Sequence, residues 1–255
     1  METSTQTVFI TGGAGGIGSA IGHCFSHFGH HVYLLDNNPN VVHVAQEIKK
    51  NYGKPTYAFV ADVAKEHELI KAARSCIDTS ERKHFVVINC AGISVKGADG
   101  LATTPHNMST KQWELVHNVN LRAPFILCRE FLPVMMERRF GRIINISSRA
   151  ARTYVSTVGI DYHSSKTALT GLTRALAGDY GKYGITVNAI APGRISSPMT
   201  DNANQQLLKS TLDDIPLKRF GEPSDIGNVA VFLASNAAAY INGAIIDVNG
   251  GIYMT

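Results

Sequence analysis

The sequence is poor in the features that mark nucleic-acid binders, membrane proteins and disulfide scaffolds. Its 24 Lys and Arg exceed its 20 Asp and Glu by only four, and the densest basic run, Arg138-Arg139 with Arg142, is short. That balance offers little electrostatic support for a nucleic-acid or membrane-surface partner. No apolar stretch approaches the roughly 18 residues needed to span a bilayer, and no signal-peptide pattern precedes the first apolar run. The four cysteines, Cys24, Cys76, Cys90 and Cys128, form no CxxC pair and no regular framework. They read as free thiols in a reducing, cytoplasmic compartment. Internal repeats and low-complexity tracts are also missing.

What is present is a chain of 255 residues, 44% hydrophobic and 17% charged, which suits one globular domain over 1–255 with a full core. Short runs rich in Val and Ile recur from start to finish: TVFI, HVYLL, TYAFV, HFVVIN, RIINI, GITVNAI and AIIDV. Helical patterns lie between them, near 17–28, 39–52, 65–79, 110–138, 160–183 and 223–235. Continuous apolar runs of this kind mark strands covered on both faces. The alternation predicts an α/β fold, a single Rossmann-like doubly wound parallel sheet of about seven strands with helices on both faces. Ligands then belong beyond the carboxyl ends of the strands. The polar segment 193–217 is the longest interruption, and is expected to be a mobile substrate lid.

Between the first strand and the first helix stands TGGAGGIG, residues 11–18. Gly12, Gly15, Gly16 and Gly18, with Ile17, allow a tight turn and a close backbone approach to a pyrophosphate at the positive end of the helix. A mononucleotide phosphate loop needs Lys and Ser or Thr after its last glycine, but Ser19 and Ala20 follow Gly18. The second strand ends in Leu34-Leu35-Asp36, where a dinucleotide fold places the acid that receives ribose hydroxyls. Asp36 also repels a 2′-phosphate, and no Arg or Lys lies within the glycine loop or just after Asp36. NAD is therefore expected over NADP, with a helix-capping role for Asp36 as the plainer alternative. Asp62 and Val63, ending the third strand, either cap a helix or hold the adenine.

Residues 162–166 read YHSSK. A helix stacks residues four apart on one face, so Tyr162 and Lys166 are neighbours there. TGGAGGIG, Asp36, NCAG at 89–92, Asn120 in HNVNL, NISS at 145–148, YHSSK and APGRISSPM at 191–199 stand in order. Together they closely resemble the short-chain dehydrogenase/reductase family, over nearly the whole chain, and the length matches its compact, single-domain members. The resemblance implies that Tyr162 is the general acid/base and Lys166 its electrostatic partner and a ligand of the nicotinamide ribose. It implies that Ser148 orients the carbonyl, and that Asn120 bends a helix and supports a proton relay. A cationic neighbour is expected to lower the Tyr162 pKa from about 10. Asn89, Ala91 and Gly92 are implied as the cofactor floor, and Pro192, Gly193, Ile195 and Ser197 as the nicotinamide carboxamide site. Two departures stand out: Cys90 replaces the second of the family's paired asparagines, and one extra residue lies between Ser148 and Tyr162.

Around the site, Arg149, Arg152 and Arg194, with Lys96 and Ser94, are candidate substrate contacts. Two arginines facing the pocket would clamp a carboxylate or phosphate. The expected function is hydride transfer between NAD(H) and a small secondary alcohol or its ketone. The resemblance leaves a 3-oxoacyl thioester reductase open, with Arg138 and Arg139 as docking residues for an acyl-carrier protein. A non-catalytic NAD sensor is disfavoured because it has no need for Ser148, Tyr162 and Lys166 together. A homotetramer is implied, packed through helices 110–138 and 160–183. The histidines of HCFSHFGHH lie on the first crossover helix, away from the predicted site, and no metal is expected.

Overall fold

Each apolar run of the sequence becomes a strand. In the computed structural model, which describes residues 5–81, 84–97, 100–196 and 205–254, β1 (Thr7–Thr11), β4 (Phe85–Asn89), β5 (Gly141–Ile146) and β6 (Ile185–Pro192) are buried along their whole length. Burial on both faces is what the unbroken Val and Ile runs require. β2 (His31–Asp36) flanks β1, β3 (Thr56–Val60) forms one edge, and β7 (Ile245–Val248) forms the other. The order is β3-β2-β1-β4-β5-β6-β7, with every pairing parallel.

Successive strand residues feed opposite cores, as the period-two geometry demands. On one face Phe9, Phe85 and Val87 pack with Leu69 of α3 (Glu66–Thr79) and Phe131 of α5 (Ala123–Arg138). On the other, Val8, Ile10 and Ile88 meet Phe25 of α1 (Gly16–His27), Ile48 of α2 (Val41–Tyr52) and Ile226 of α8 (Pro223–Ala234). Helices α1 and α8 touch so closely that a Cβ on Gly227 would lie 2.6 Å from the Cys24 sulfur. Among the described residues no helix is long and apolar enough to cross a membrane.

The helical stretch expected over 110–138 is continuous from Thr110 to Arg138, but it changes its winding around Asn120. Helix α4 (Thr110–His117) runs into a π-helical turn, Asn118–Arg122, before α5 begins. The turn admits the buried Asn120 side chain toward the strand ends, where it finds partners described below. Helix α6 (Ile160–Tyr180) ends in a 3-10 turn, Gly181–Tyr183. The segment 193–217 contains a helix that its polar composition did not suggest, α7 (Gln205–Asp214). From β1 the chain winds outward to β3, then returns to β4 and winds the other way to β7. The strand order therefore reverses between β1 and β4, and their carboxyl ends open the crevice that holds the site.

Candidate active site

At the reversal point, Thr11 joins the two halves: its hydroxyl accepts hydrogen bonds from the backbone N–H groups of Cys90 and Ala91, both at 3.1 Å. Gly12 has φ +73°, and a Cβ there would meet the Ala91 nitrogen at 2.9 Å. Gly18 is more constrained, since its Cβ would lie 2.0 Å from the Gly12 carbonyl oxygen. These glycines bring backbone against backbone at the start of α1. Helix α1 begins with no side-chain cap and no acidic residue in its first turn, so the N–H groups of its first turn remain as donors for an anion.

A cleft of about 410 Å³ runs from Gly12, Gly15, Gly16, Ile17 and Gly18 past Asp36, Asp62 and Val63 to Ala91 and Gly92, and on to Ile195. Asp36 sits at its rim, one carboxylate oxygen accepting from Ala14 N (3.0 Å) and the other from Asn38 N (2.9 Å). Asp62 caps its own turn through Ala64 N at 2.9 Å. This arrangement fits a dinucleotide: an uncapped helix end for the pyrophosphate and a carboxylate at the end of β2 for ribose hydroxyls. Asn89 lies beneath the floor rather than in it. Its amide donates to Asn145 (2.7 Å), which in turn donates to Thr173 (2.8 Å).

A second cleft, of about 680 Å³, shares Ile17, Cys90, Gly92 and Ile195 with the first and is lined by Ser148, Tyr162, Lys166, Pro192 and Gly193. Ser148 follows the end of β5 and accepts from Ala150 N at 3.1 Å, starting a 3-10 turn, Arg149–Ala151. That turn follows Ser148 directly, and the Ser148 hydroxyl lies close enough to the Tyr162 phenol to oppose the rise of its pKa. Lys166 lies one helical turn beyond Tyr162, with its Nζ 5.8 Å from the centre of the phenol ring and donating to Ile146 O at 2.8 Å. Asn120, from the π turn, donates to Ile93 O (3.0 Å) and Ser165 Oγ (3.1 Å) and accepts from Ile93 N (2.9 Å). It holds the loop after β4 against the helix that carries Tyr162 and Lys166.

Burial rather than charge pairing dominates the electrostatics here. It pushes the Lys166 ammonium down to about 8, opposed by Cys90. Burial likewise pushes the Tyr162 phenol above its ordinary value, opposed by the Ser148 hydroxyl. The expectation that Lys166 lowers the Tyr162 pKa is thus corrected for the protein alone: both groups are desolvated, and losing water disfavours phenolate and ammonium alike. Cys90 stands in both clefts as a neutral thiol, raised to about 12 by burial.

The candidate substrate residues divide. Arg149 and Arg194 line the second cleft. Arg152 does not: its guanidinium pairs with Asp247 at 3.2 Å and lies 5.6 Å from the Tyr253 ring centre. A nearer carboxylate has claimed it. Ser94 is also off the cleft walls, its hydroxyl buried with no hydrogen-bond partner among the described residues. Asn120 holds Ile93 on the cofactor cleft, which directs the next side chain elsewhere. Lys96 contacts the Thr157 carbonyl, and Ser197 lies outside the described residues.

Two features, His163 and helix α7, had no reading in the sequence. His163 pins the loop over the site, with Nδ1 2.8 Å from Ala150 O and Nε2 3.1 Å from Val155 O. Its position inside YHSSK was the only signal. Helix α7 brings Ser210, Thr211 and Asp214 to the second cleft. Arg138 and Arg139 end α5 just before β5 begins, and Arg139 donates to Lys182 O at 3.0 Å. They therefore sit at the amino ends of the strands, opposite the catalytic cluster. His23 and His27 both pack edge-on against Tyr52, and burial lowers His30 to about 4.

Known proteins resemble the chain throughout. Residues 12–253 match the family model described as enoyl-(acyl carrier protein) reductase. A 3-oxoacyl-[acyl-carrier-protein] reductase from Rickettsia felis is 36% identical, the match covering 100% of this chain and 99% of that protein. The crystal structure of a 3-oxoacyl-[acyl-carrier protein] reductase from Brucella melitensis with bound NAD superposes with a TM-score of 0.90 at 32% identity, over 100% of this chain and 93% of that one. A Beutenbergia cavernae protein named for NAD(P)-dependent gluconate 5-dehydrogenase activity, with bound NADP, gives 0.89 at 34% identity, over 98% of each chain. With similarity of this length joined to the ordered motifs and the seven-stranded parallel sheet, the chain belongs to the short-chain dehydrogenase/reductase family of oxidoreductases.

Proposed function

We propose that the protein transfers hydride between NAD(H) and a small secondary alcohol or its ketone. The observation that carries this reading is the meeting of Ser148, Tyr162 and Lys166 where the cofactor cleft joins the second cleft. In it the glycine loop receives the pyrophosphate, Asp36 the adenosine ribose, Asp62 and Val63 the adenine, and Pro192, Gly193, Ile195 and Ser197 the carboxamide. A bound nicotinamide supplies the hydride donor or acceptor.

The protein's own residues manage the oxygen and its proton. Ser148 hydrogen-bonds the substrate oxygen and fixes its orientation. Tyr162 gives its proton to the oxygen during reduction and takes one during oxidation. With the phenol raised by burial, the protein alone holds Tyr162 in its acid form through the neutral range, which suits the reductive direction. Lys166 places a cation behind the phenol, and Asn120 fixes the geometry of both through Ser165 and Ile93.

NAD is favoured over NADP because Asp36 lines the cleft, where its charge would repel a 2′-phosphate and no Lys or Arg lines the wall among the described residues, and the Brucella melitensis structure carries NAD. The Beutenbergia cavernae structure carries NADP, so the preference rests on this chain's own Asp36. The names of the 3-oxoacyl reductase relatives favour a second reading, reduction of a 3-oxoacyl thioester. The same triad would serve it, but Arg138 and Arg139 would not dock a carrier protein near the site. Initial rates of NAD reduction over a panel of secondary alcohols, with Tyr162→Phe as the blank, test the first reading. Turnover with 3-oxoacyl thioesters alone would favour the second, and NADH binding without turnover on either panel would favour an NAD sensor.

A further inference from the structure

Twelve arginines occur in the sequence, and among the described residues nearly all have an evident partner or open water. Arg74, Arg122, Arg129, Arg138, Arg152 and Arg219 pair with carboxylates. Arg139 and Arg142 donate to backbone carbonyls, and Arg174 is exposed. Arg149 and Arg194 differ. Both are half-buried, both line the cleft that contains Tyr162, and neither guanidinium has an ion pair or hydrogen bond among the described residues.

A half-buried guanidinium without an anion has given up water for nothing in return, which is unfavourable unless a ligand completes it. The protein's own carboxylates do not. Asp214 on α7 lines the same cleft and Arg149 feels its charge, but the two are not within ion-pair distance. Asp161 is fully buried and already accepts from Gln112 Nε2 at 2.9 Å and Tyr162 N at 2.8 Å. Lys96, held at the Thr157 carbonyl, is a further cation nearby, its ammonium pushed down by burial and by Arg194. The cofactor phosphates belong to the glycine loop, which lies in the other cleft.

We infer that the cleft beside Tyr162 takes a short hydroxylated carboxylic acid, whose carboxylate is held by Arg149 and Arg194 while its alcohol carbon faces Ser148 and Tyr162. The inference rests on the hydride-transfer reading for the orientation of the alcohol, but not for the binding of the acid. Guanidinium forks match a carboxylate in two parallel hydrogen bonds. Ser156 and Thr157 on the same walls suit the remaining hydroxyl groups of such a substrate.

The test is calorimetric binding to protein saturated with NADH, using matched probes: D-gluconate against sorbitol, and 3-hydroxybutyrate against its methyl ester. Initial rates with NAD are measured on the same four compounds. The acid of at least one pair should bind about ten- to a hundredfold more tightly than its neutral partner, the range of one charge-assisted contact. Arg149→Gln with Arg194→Gln should bring that ratio close to one, with circular dichroism checking that the variant folds. Equal affinity of acid and neutral partner in both pairs would overturn the clamp, even if alcohols turn over. So would an acid preference that survives the double substitution, or tighter binding of glycerol 3-phosphate than of either acid. Arginine-dependent acid binding without turnover would keep the clamp and reject the dehydrogenase reading instead.

Discussion

Tyr162 depends on its surroundings for its chemistry, and burial makes those surroundings unusual. Tyr162→Phe should lower kcat by about 10²- to 10⁴-fold, the range of a lost general acid/base, while NADH affinity measured by fluorescence stays within a few-fold. Lys166 makes a pH prediction. Its amine falls from 10.5 to about 8 on folding, so between those values the unfolded chain holds a proton that the folded protein has released. The unfolded state then binds more protons, and the Lys166 contribution to stability rises with pH across that window. The whole shift corresponds to roughly 3 kcal/mol. The unfolding free energy of the native protein minus that of Lys166→Met should therefore climb between pH 8 and 10 and stay flat below pH 7. Denaturant titrations at several pH values check it; a difference that is flat throughout would place the Lys166 pKa near its ordinary value. Asp36→Ala should narrow the NAD over NADP preference in kcat/KM by about tenfold or more, the scale of one lost charge contact. An unchanged ratio would show that another group reads the ribose.

At the scale of elements, two local devices hold the site together. The π turn Asn118–Arg122 lets one asparagine tie the loop after β4 to the helix of Tyr162. Asn120→Ala would leave half-buried backbone groups of Ile93 without their Asn120 partners, and should destabilise the protein by about 1–3 kcal/mol in urea unfolding. The loop after Ser148 hangs on His163, whose ring also stacks on Tyr154, with planes within 7° and centres 5.8 Å apart. His163→Ala should raise KM for the alcohol several-fold while KM for the cofactor stays near its native value, because the loop borders the second cleft and not the glycine loop. Equal rises in both would mean that the substitution disturbs the whole strand end.

At the scale of the molecule, the proposed tetramer has a surface to use. Trp113 of α4, Phe125 of α5 and Ile160 of α6 are 38%, 49% and 45% exposed, and all belong to the helices expected to pack across subunits. Sedimentation should give the mass of four chains of 27.5 kDa; a monomer mass would reject it. The strands, the crossover helices and the order of the motifs were legible in the chain itself. Parallel strands covered on both faces need unbroken Val and Ile, and close backbone approaches at Gly12 and Gly18 need glycine. Those are local requirements, written in adjacent residues. The partners of the site's charges were not legible. Arg152 and Arg149 are three positions apart in one loop, yet Asp247, nearly a hundred residues onward, claims the first and leaves the second to the cleft. The depressed Lys166 and the raised Tyr162 likewise arise from burial between distant segments. That burial exists only once the sheet has brought its strand ends together.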